Sequence, residues 1–477
     1  KESHWGLFVV DLETGETLYE HQPNQMFAPA SVTKLFSVAA ALDELGGDYR
    51  FQTPVYTRGK RHESGVLDGD LILVGQGDLS FGGRTDEQGR IAFQNVDHTY
   101  ASPINIGDWT RPDPLGALKD LARQIAAAGV KEVRGEVLVD DRLYDHAEST
   151  GSGPRRLTPV MLNDNLLDVR ISPGTEPGRP AHVEWRPQGT AIHVDAQVET
   201  GSAKSSPTIY LYASPSGLTV RGSVAVDGPS RVVGYEFENP ALAVRALFID
   251  CLRSAGVKVN ASPLRVGPAT LPPLGDYGPD KPLAVHTSPP FSESAKLILK
   301  VSHNLQASTL PLLLATRHKK RTLDDGLRLQ AAFLAKAGVD VATISFGGGA
   351  GGDRGDYVTP AATVALLRHM YKHRDFAAYR EALPVLGVDG TLAKAVRGDS
   401  PARGKVRAKT GTYTVGNRLN QSTVLLSKAL GGYAECRSGR TVAFAVFCNL
   451  VHLNKQRDAA AIGSTLGEMC EVMVNEL

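Results

Sequence analysis

The stretch FAPASVTKLFSVAAAL, residues 27–42, sets a serine and a lysine at the mouth of a helix that otherwise reads as core. Its second half is Ala, Leu and Val, which favour helix and burial. Ser31 and Lys34 are three residues apart, so a helical backbone puts both on one face and within reach of each other. A serine hydroxyl is a poor nucleophile until a base takes its proton. A lysine amine becomes that base when burial or a nearby cation lowers its pKa. One S-x-x-K pair decides little, because it also fits a plain helix N-terminus with a solvated lysine.

Working outward, the 477 residues are too many for one ordinary core, and two or three domains are expected. Hydrophobic residues make up 42% and charged residues 22%, the balance of a globular chain. A net charge of +1 gives no reason to expect nucleic acid or an anionic membrane surface as partner. No apolar run approaches the ~18 residues of a spanning helix, so no transmembrane segment is expected. The chain begins at Lys1, and the expectation is an exported protein whose leader has been removed.

The four cysteines, Cys251, Cys436, Cys448 and Cys470, match no zinc or C-x-x-C spacing. A Ser438-Gly439 turn would set Cys436 opposite Thr441, which puts Cys448 on the other sheet face. Buried free thiols are therefore expected.

Residues 5–20 read as two strands around a Thr-Gly turn, and 66–80 as a strand and turn. Residues 81–113 read as a long irregular loop, followed by a helix ending at Gly129 and a Val-rich strand, GEVLVDD. Residues 169–236 alternate and turn often, as a small all-β module does. A helix follows at NPALAVRALFIDCLRSAGV, and KPLAVHTSPP at 281–290 reads as a junction. Helices are expected at 291–317, 324–337 and 360–372, then strands and a last helix near 457–474.

Two later motifs change the weight of Ser31 and Lys34. SHNL supplies Ser302, His303 and Asn304, and RAKTGTYT supplies Lys409, Thr410, Gly411 and Thr412. S-x-x-K, S-x-N and K-T-G in this order form the active-site set of penicillin-recognising serine enzymes. Taken singly, Ser302 could cap a helix, Asn304 could satisfy buried backbone, and Lys409 could be a solvated edge-strand charge. His303 is expected at the surface or behind the site.

The wider text resembles the low-molecular-mass class C penicillin-binding proteins, the D-alanyl-D-alanine carboxypeptidase/endopeptidase family. The resemblance is carried by DLETGETLYEHQPNQMFAPASVTKLFSVAAALDELG, LDGDLILVGQGD, LNDN at 162–165, SHNL, YVTP at 357–360, LPVLGVDGTL at 383–392 and KTGT. It implies a multidomain α+β or α/β chain. Its catalytic domain would be β-lactamase-like, a penicillin-binding transpeptidase-like antiparallel sheet flanked by helices. A large inserted region containing the all-β module would split it. The 302 − 31 = 271 residues between the first two motifs fit such a split. The expected boundaries are 1–57 and 282–477 for the catalytic domain, 58–165 and 237–281 for an inserted α/β domain, and 166–236 for the nested module.

The resemblance also implies roles. Ser31 attacks the carbonyl between two D-alanines of a peptidoglycan stem peptide, and β-lactam antibiotics acylate it too. Lys34 is the base, Ser302 relays a proton, Asn304 holds the substrate amide, and Lys409 supplies positive charge. Thr410 and Gly411 line the carboxylate site, and the N–H groups of Ser31 and Thr412 form the oxyanion hole. Arg354, shortly before V-T-P, and Asp140 of the inserted region, or Asp141 one residue on, with Tyr144 packing nearby, would read the stem's third residue. No metal or organic cofactor is required. The expected location is periplasmic or otherwise extracytoplasmic. The chain departs from the family in carrying Gly348 where Asp is usual, and in about ten extra residues after KTGT. The competing readings are a β-lactamase, for which no deacylating base is evident, and a catalytically silent cell-wall-binding scaffold.

Overall fold

The computed structural model describes residues 3–81, 83–101, 108–214, 217–278, 281–454 and 458–477. The expected loop at 81–113 therefore has residues 82 and 102–107 outside the described residues, and residue 457 of the expected last helix lies outside them too. The chain forms two compact units. One comprises 1–49, 147–157 and 290–477, and the other 50–146 and 158–289.

The first unit is built on a five-stranded sheet in the order Val406–Asn417, Ser422–Glu435, Thr441–Leu453, His4–Asp11, Thr17–His21. All four pairings are antiparallel, and Leu7 opposite Val446 joins the start of the chain to its end. Alternation along the strands sends Leu430, Phe444 and Val446 to one face, where Leu466, Cys470 and Met473 of helix Ala459–Glu476 cover them. On the other face Gly431 meets Val32, Leu35 and Thr363, so helices Lys34–Leu45 and Pro360–Tyr371 lie there. The mixed architecture, an antiparallel sheet flanked by helices, is the expected one.

Helix Lys34–Leu45 is buried from Lys34 through Leu42 and stops at Gly46, whose φ of 82° is left-handed. The apolar run expected as one helix over 291–317 is two, Phe291–Lys300 and Asn304–Arg317. Ser302 breaks it with a φ of 67°, and the side chain of His303 caps the second helix by accepting from Gln306 N–H. His303 is thus fully buried, not a surface group.

The second unit holds the sheet Lys258–Val259, Glu132–Val133, Val66–Val74, Gln52–Arg61, Ala284–Thr287, with Val137–Asp140 also paired to Val66–Val74. Helices Gly116–Ala127 and Pro240–Ser254 pack on it through Leu118, Leu121, Val244 and Phe248. The strand Ala284–Thr287 corrects the junction expected at 281–290: its antiparallel ladder to Gln52–Arg61 keeps both segments in this unit. The first boundary consequently falls after Tyr49 and not after residue 57. Strands from Leu166–Ser172 to Arg231–Glu236 form two three-stranded sheets around Val169, Ile171, Val198 and Val220, which is the all-β region read from alternation.

The cysteines are free and buried. The hairpin register differs from the expected one by a residue: Glu435 pairs with Thr441, and Cys436 N–H bonds the Arg440 carbonyl. Cys436 and Cys448 therefore share a face. They stay apart because eight residues of extended strand past Arg440 span roughly 27 Å.

The LNDN segment has three consecutive left-handed residues. Asn163, Asp164 and Asn165 have φ of 48°, 52° and 60°, left-handed values that cost L-residues about 1–2 kcal/mol each. A buried ionic cluster holds them. Arg84 bonds Asp97 through two nitrogens at 2.8 and 2.9 Å and Asp164 at 2.8 Å, and His98 bridges Asp164 at 2.9 Å and Asp168 at 2.6 Å. Burial alone would push the His98 imidazole down, but Asp168 and Asp164 reverse this and raise it to about 10. His98 is therefore charged in the folded unit at neutral pH. Its contribution is fully present below its unfolded value of 6.5 and is lost as pH rises through about 10. Urea unfolding followed by tryptophan fluorescence should show stability falling across that window, with the fall absent in His98→Gln. Arg84→Ala, which strands buried carboxylates, should cost about 3–5 kcal/mol in the same measurement.

Candidate active site

Ser31 sits in the short 3-10 turn Ala30–Thr33 that leads into helix Lys34–Leu45. In such a turn residues i and i+3 eclipse, which aligns Ser31 over Lys34. Lys34 Nζ lies 2.8 Å from Ser31 Oγ, 2.6 Å from Asn304 Oδ1 and 2.7 Å from the Ala350 carbonyl. A neutral amine satisfies this set by donating to Asn304 and Ala350 while accepting the Ser31 hydroxyl proton. Lys34 is 0% exposed. Burial first, and then the charge of Lys409, hold its pKa well below the usual lysine value.

Asn304, the first residue of its helix, also donates through Nδ2 to the Ser152 carbonyl at 3.0 Å. Lys409 Nζ donates to Ser302 Oγ at 3.0 Å and to the Thr410 carbonyl at 2.7 Å. It stands on the sheet's edge strand, yet it is fully buried, and burial lowers its amine to about 7. The solvated-edge reading of Lys409 therefore fails. Thr410 Oγ1 donates to Thr391 Oγ1 at 2.7 Å, and Thr412 Oγ1 accepts from Lys428 Nζ at 3.0 Å.

Two glycines bring the pieces together. A Cβ at Gly411 would lie 2.3 Å from the Pro29 carbonyl, so only glycine lets the edge strand approach the Ala30–Thr33 turn. Gly351, with a φ of 86°, passes the Ala30 carbonyl so closely that a Cβ would lie 1.9 Å from it. Ser31, Lys34 and Asn304 thus form one bonded set and Ser302 and Lys409 a second, on three segments of the first unit.

Beside it is a cavity of about 740 Å³, lined among others by Phe27, Asp353, Arg354, Tyr357, Tyr413 and Asn449. Arg354 belongs to this wall. The extra residues after KTGT lengthen the hairpin Val406–Asn417/Ser422–Glu435, and Val415 and Gly416 add to the same wall. Asp140 is different. It is buried in the second unit, where Arg142 donates to it from Nε at 2.9 Å and Nη2 at 2.6 Å and Tyr277 donates at 3.0 Å. Its carboxylate thus already accepts three bonds within its own unit. Tyr144 is buried as well, and burial raises its phenol. Sequence reasoning missed Ser152, Ala350 and Thr391. Ala350 acts through its backbone carbonyl and Ser152 through its carbonyl and, at 3.3 Å, its Oγ, while Thr391 lies within LPVLGVDGTL with nothing to mark it out.

The model of the D-Ala-D-Ala carboxypeptidase 3 (S13) family matches residues 1–467. The chain belongs to that family. It is 30% identical over 433 residues to the D-alanyl-D-alanine carboxypeptidase of Actinomadura sp. (strain R39), covering 86% of this chain and 73% of that one. It is 24% identical over 463 residues to the D-alanyl-D-alanine carboxypeptidase DacB of Haemophilus influenzae, covering 94% and 85%. The crystal structure of penicillin binding protein 4 from H. influenzae superposes with a TM-score of 0.72 at 20% identity, over 99% of this chain and 97% of that one. The same protein complexed with a β-lactam superposes with a TM-score of 0.70, again at 20% identity, over 98% and 96%. The chain is thus a serine-type carboxypeptidase by family and has the fold of penicillin binding protein 4.

For this carboxypeptidase, Gly411→Ala should push the edge strand off the nucleophile turn. Benzylpenicillin acylation, read by intact mass, should slow at least about tenfold, the cost of losing one well-placed electrostatic contact, with the circular dichroism spectrum unchanged.

Proposed function

We propose that the enzyme cleaves the D-alanyl-D-alanine bond of peptidoglycan stem peptides, as carboxypeptidase and endopeptidase, through an acyl-enzyme on Ser31. The observation that carries this is the buried Lys34 amine 2.8 Å from Ser31 Oγ, with acceptors occupying its other two directions. Lys34 takes the hydroxyl proton as Ser31 attacks the carbonyl carbon. The N–H groups of Ser31 and Thr412 stabilise the tetrahedral oxyanion, an arrangement supported by the close pass of Gly411 along the nucleophile turn. Ser302, bonded to Lys409, relays the proton to the leaving D-alanine nitrogen. Lys409, Thr410 and Gly411 receive the terminal carboxylate, and Asn304 orients the acyl amide. Water then frees Ser31.

β-Lactams mimic the same dipeptide and take the same path. Arg354, on the cavity wall, is the group for an anionic third-residue side chain such as that of diaminopimelate; an Arg–carboxylate fork fixes direction as well as charge. The substrate is a cell-wall polymer, so the enzyme works in the periplasm or an equivalent extracytoplasmic space. No helix among the described residues is long and apolar enough to cross a membrane.

Ser31→Ala should gain no penicilloyl mass on exposure to benzylpenicillin, and Lys34→Ala should acylate little or not at all. A penicilloyl group on Ser31→Ala would overturn the assignment. A persistent adduct without nitrocefin turnover distinguishes this enzyme from a β-lactamase, and a wild-type chain that takes no label would be a silent scaffold. Arg354→Ala should lower kcat/KM on diaminopimelate peptides by about 1.5–3 kcal/mol, the range for a hydrogen bond to a charged group, while penicillin acylation stays near wild type. Equal losses on both ligands would make Arg354 a support of the fold.

A further inference from the structure

The segment FGGGAGGDRGDY, residues 346–357, has few side chains to pack, and glycine loses the most conformational freedom on ordering. Two of its carbonyls nevertheless do defined work. Ala350 accepts from Lys34 Nζ at 2.7 Å, and Gly349 accepts from Ser37 Oγ at 2.8 Å. Asp356, almost fully buried, closes the turn across its mouth: Oδ1 accepts from Gly347 N–H at 2.8 Å and Oδ2 from Asp353 N–H at 2.9 Å.

We propose that Asp356 is a positioning residue for acylation: by tying Gly347 to Asp353 it fixes the Ala350 carbonyl that aims the Lys34 amine at Ser31. This rests on Ser31 and Lys34 being the acylating pair. Asp356 touches no reacting atom and acts through Lys34. The titratable groups acting on it are Asp353 of its own loop and Lys34 of helix Lys34–Leu45, while Arg354 and His4 line the adjoining cavity.

Burial, aided by Asp353, lifts the Asp356 carboxyl from 3.8 to about 6 against the pull of its two N–H bonds and Lys34. Because the folded value is raised, linkage runs against stability: the contribution of Asp356 declines as pH rises from 3.8 to about 6. Holding it ionised at neutral pH therefore costs the fold, which suits a group kept for the site. Ionised, both oxygens accept. Protonated, one becomes a hydroxyl and its bond to the loop weakens.

The test is the rate of benzylpenicillin acylation by the whole chain between about pH 5 and about 9, a range that brackets the carboxyl, in wild type, Asp356→Asn and Asp356→Ala, with Ser31→Ala as the blank. Acylation at saturating penicillin should fall at least about tenfold in Asp356→Ala and less in Asp356→Asn, which keeps one acceptor. The component of the acid limb near pH 6 that belongs to Asp356 should vanish in both, leaving the limbs set by Lys34 and by Lys409, which burial lowers to about 7. Wild-type rates in both variants would overturn the inference, as would a loss by one constant factor with that component retained. If Asp356→Ala does not fold, Asp356→Asn decides by the same two criteria. A wild-type chain that gains no penicilloyl group at Ser31 would instead strike the acylating pair itself.

Discussion

The active site depends on one desolvated amine. Lys34 is fully buried with three oxygen neighbours drawn from three separate segments, and a charged ammonium there would lose most of its hydration. Burial and the nearby Lys409 make the neutral form accessible, so the amine can be a base. The same helix that buries Lys34 sets Leu35 against Gly431 of the sheet, so burial of the amine and formation of the core come from one packing event. The polar pair at the mouth of an apolar helix is explained by that coupling.

Precision around the amine comes from backbone more than from side chains. Glycines 351 and 411 let two strands of chain pass the nucleophile turn at distances a Cβ would forbid. Ser302 accepts a left-handed backbone, which breaks two apolar helices apart and points its hydroxyl to Lys409. Such strained positions cost about 1–3 kcal/mol each and persist where surrounding structure over-determines them. The LNDN segment of the second unit follows the same logic, with a buried ionic cluster as the restraint.

Local patterns were legible because they follow fixed periods. Alternation revealed the strands of the all-β region, and 3.6-residue spacing revealed most helices. Where the reading slipped, a non-local partner decided. The strand at 284–287 exists because Gln52–Arg61 offers it an edge, and the Cys436 register turned on one hydrogen bond at a hairpin end. One of the donors to Asp140, Tyr277, lies 137 residues away, so its bonding could not be read locally. Between the two places read for His303, at the surface or behind the site, the helix cap formed where the chain breaks at Ser302 selects the buried one.

By itself the sequence determined the chemistry: Ser31, Lys34, Ser302, Asn304, Lys409 and the Thr-Gly-Thr after it are residue types whose functional groups suit acyl transfer, and their motifs are local strings. Only the tertiary structure decided how far the Lys34 amine is pulled below the usual lysine pKa. A lysine is a base or a cation according to its burial and neighbours, and the neighbours of Lys34 at Asn304 and Ala350 lie 270 and 316 residues away. It also decided that backbone carbonyls of Ser152 and Ala350 would complete the site, since every residue carries a carbonyl and only folding selects which ones meet a donor.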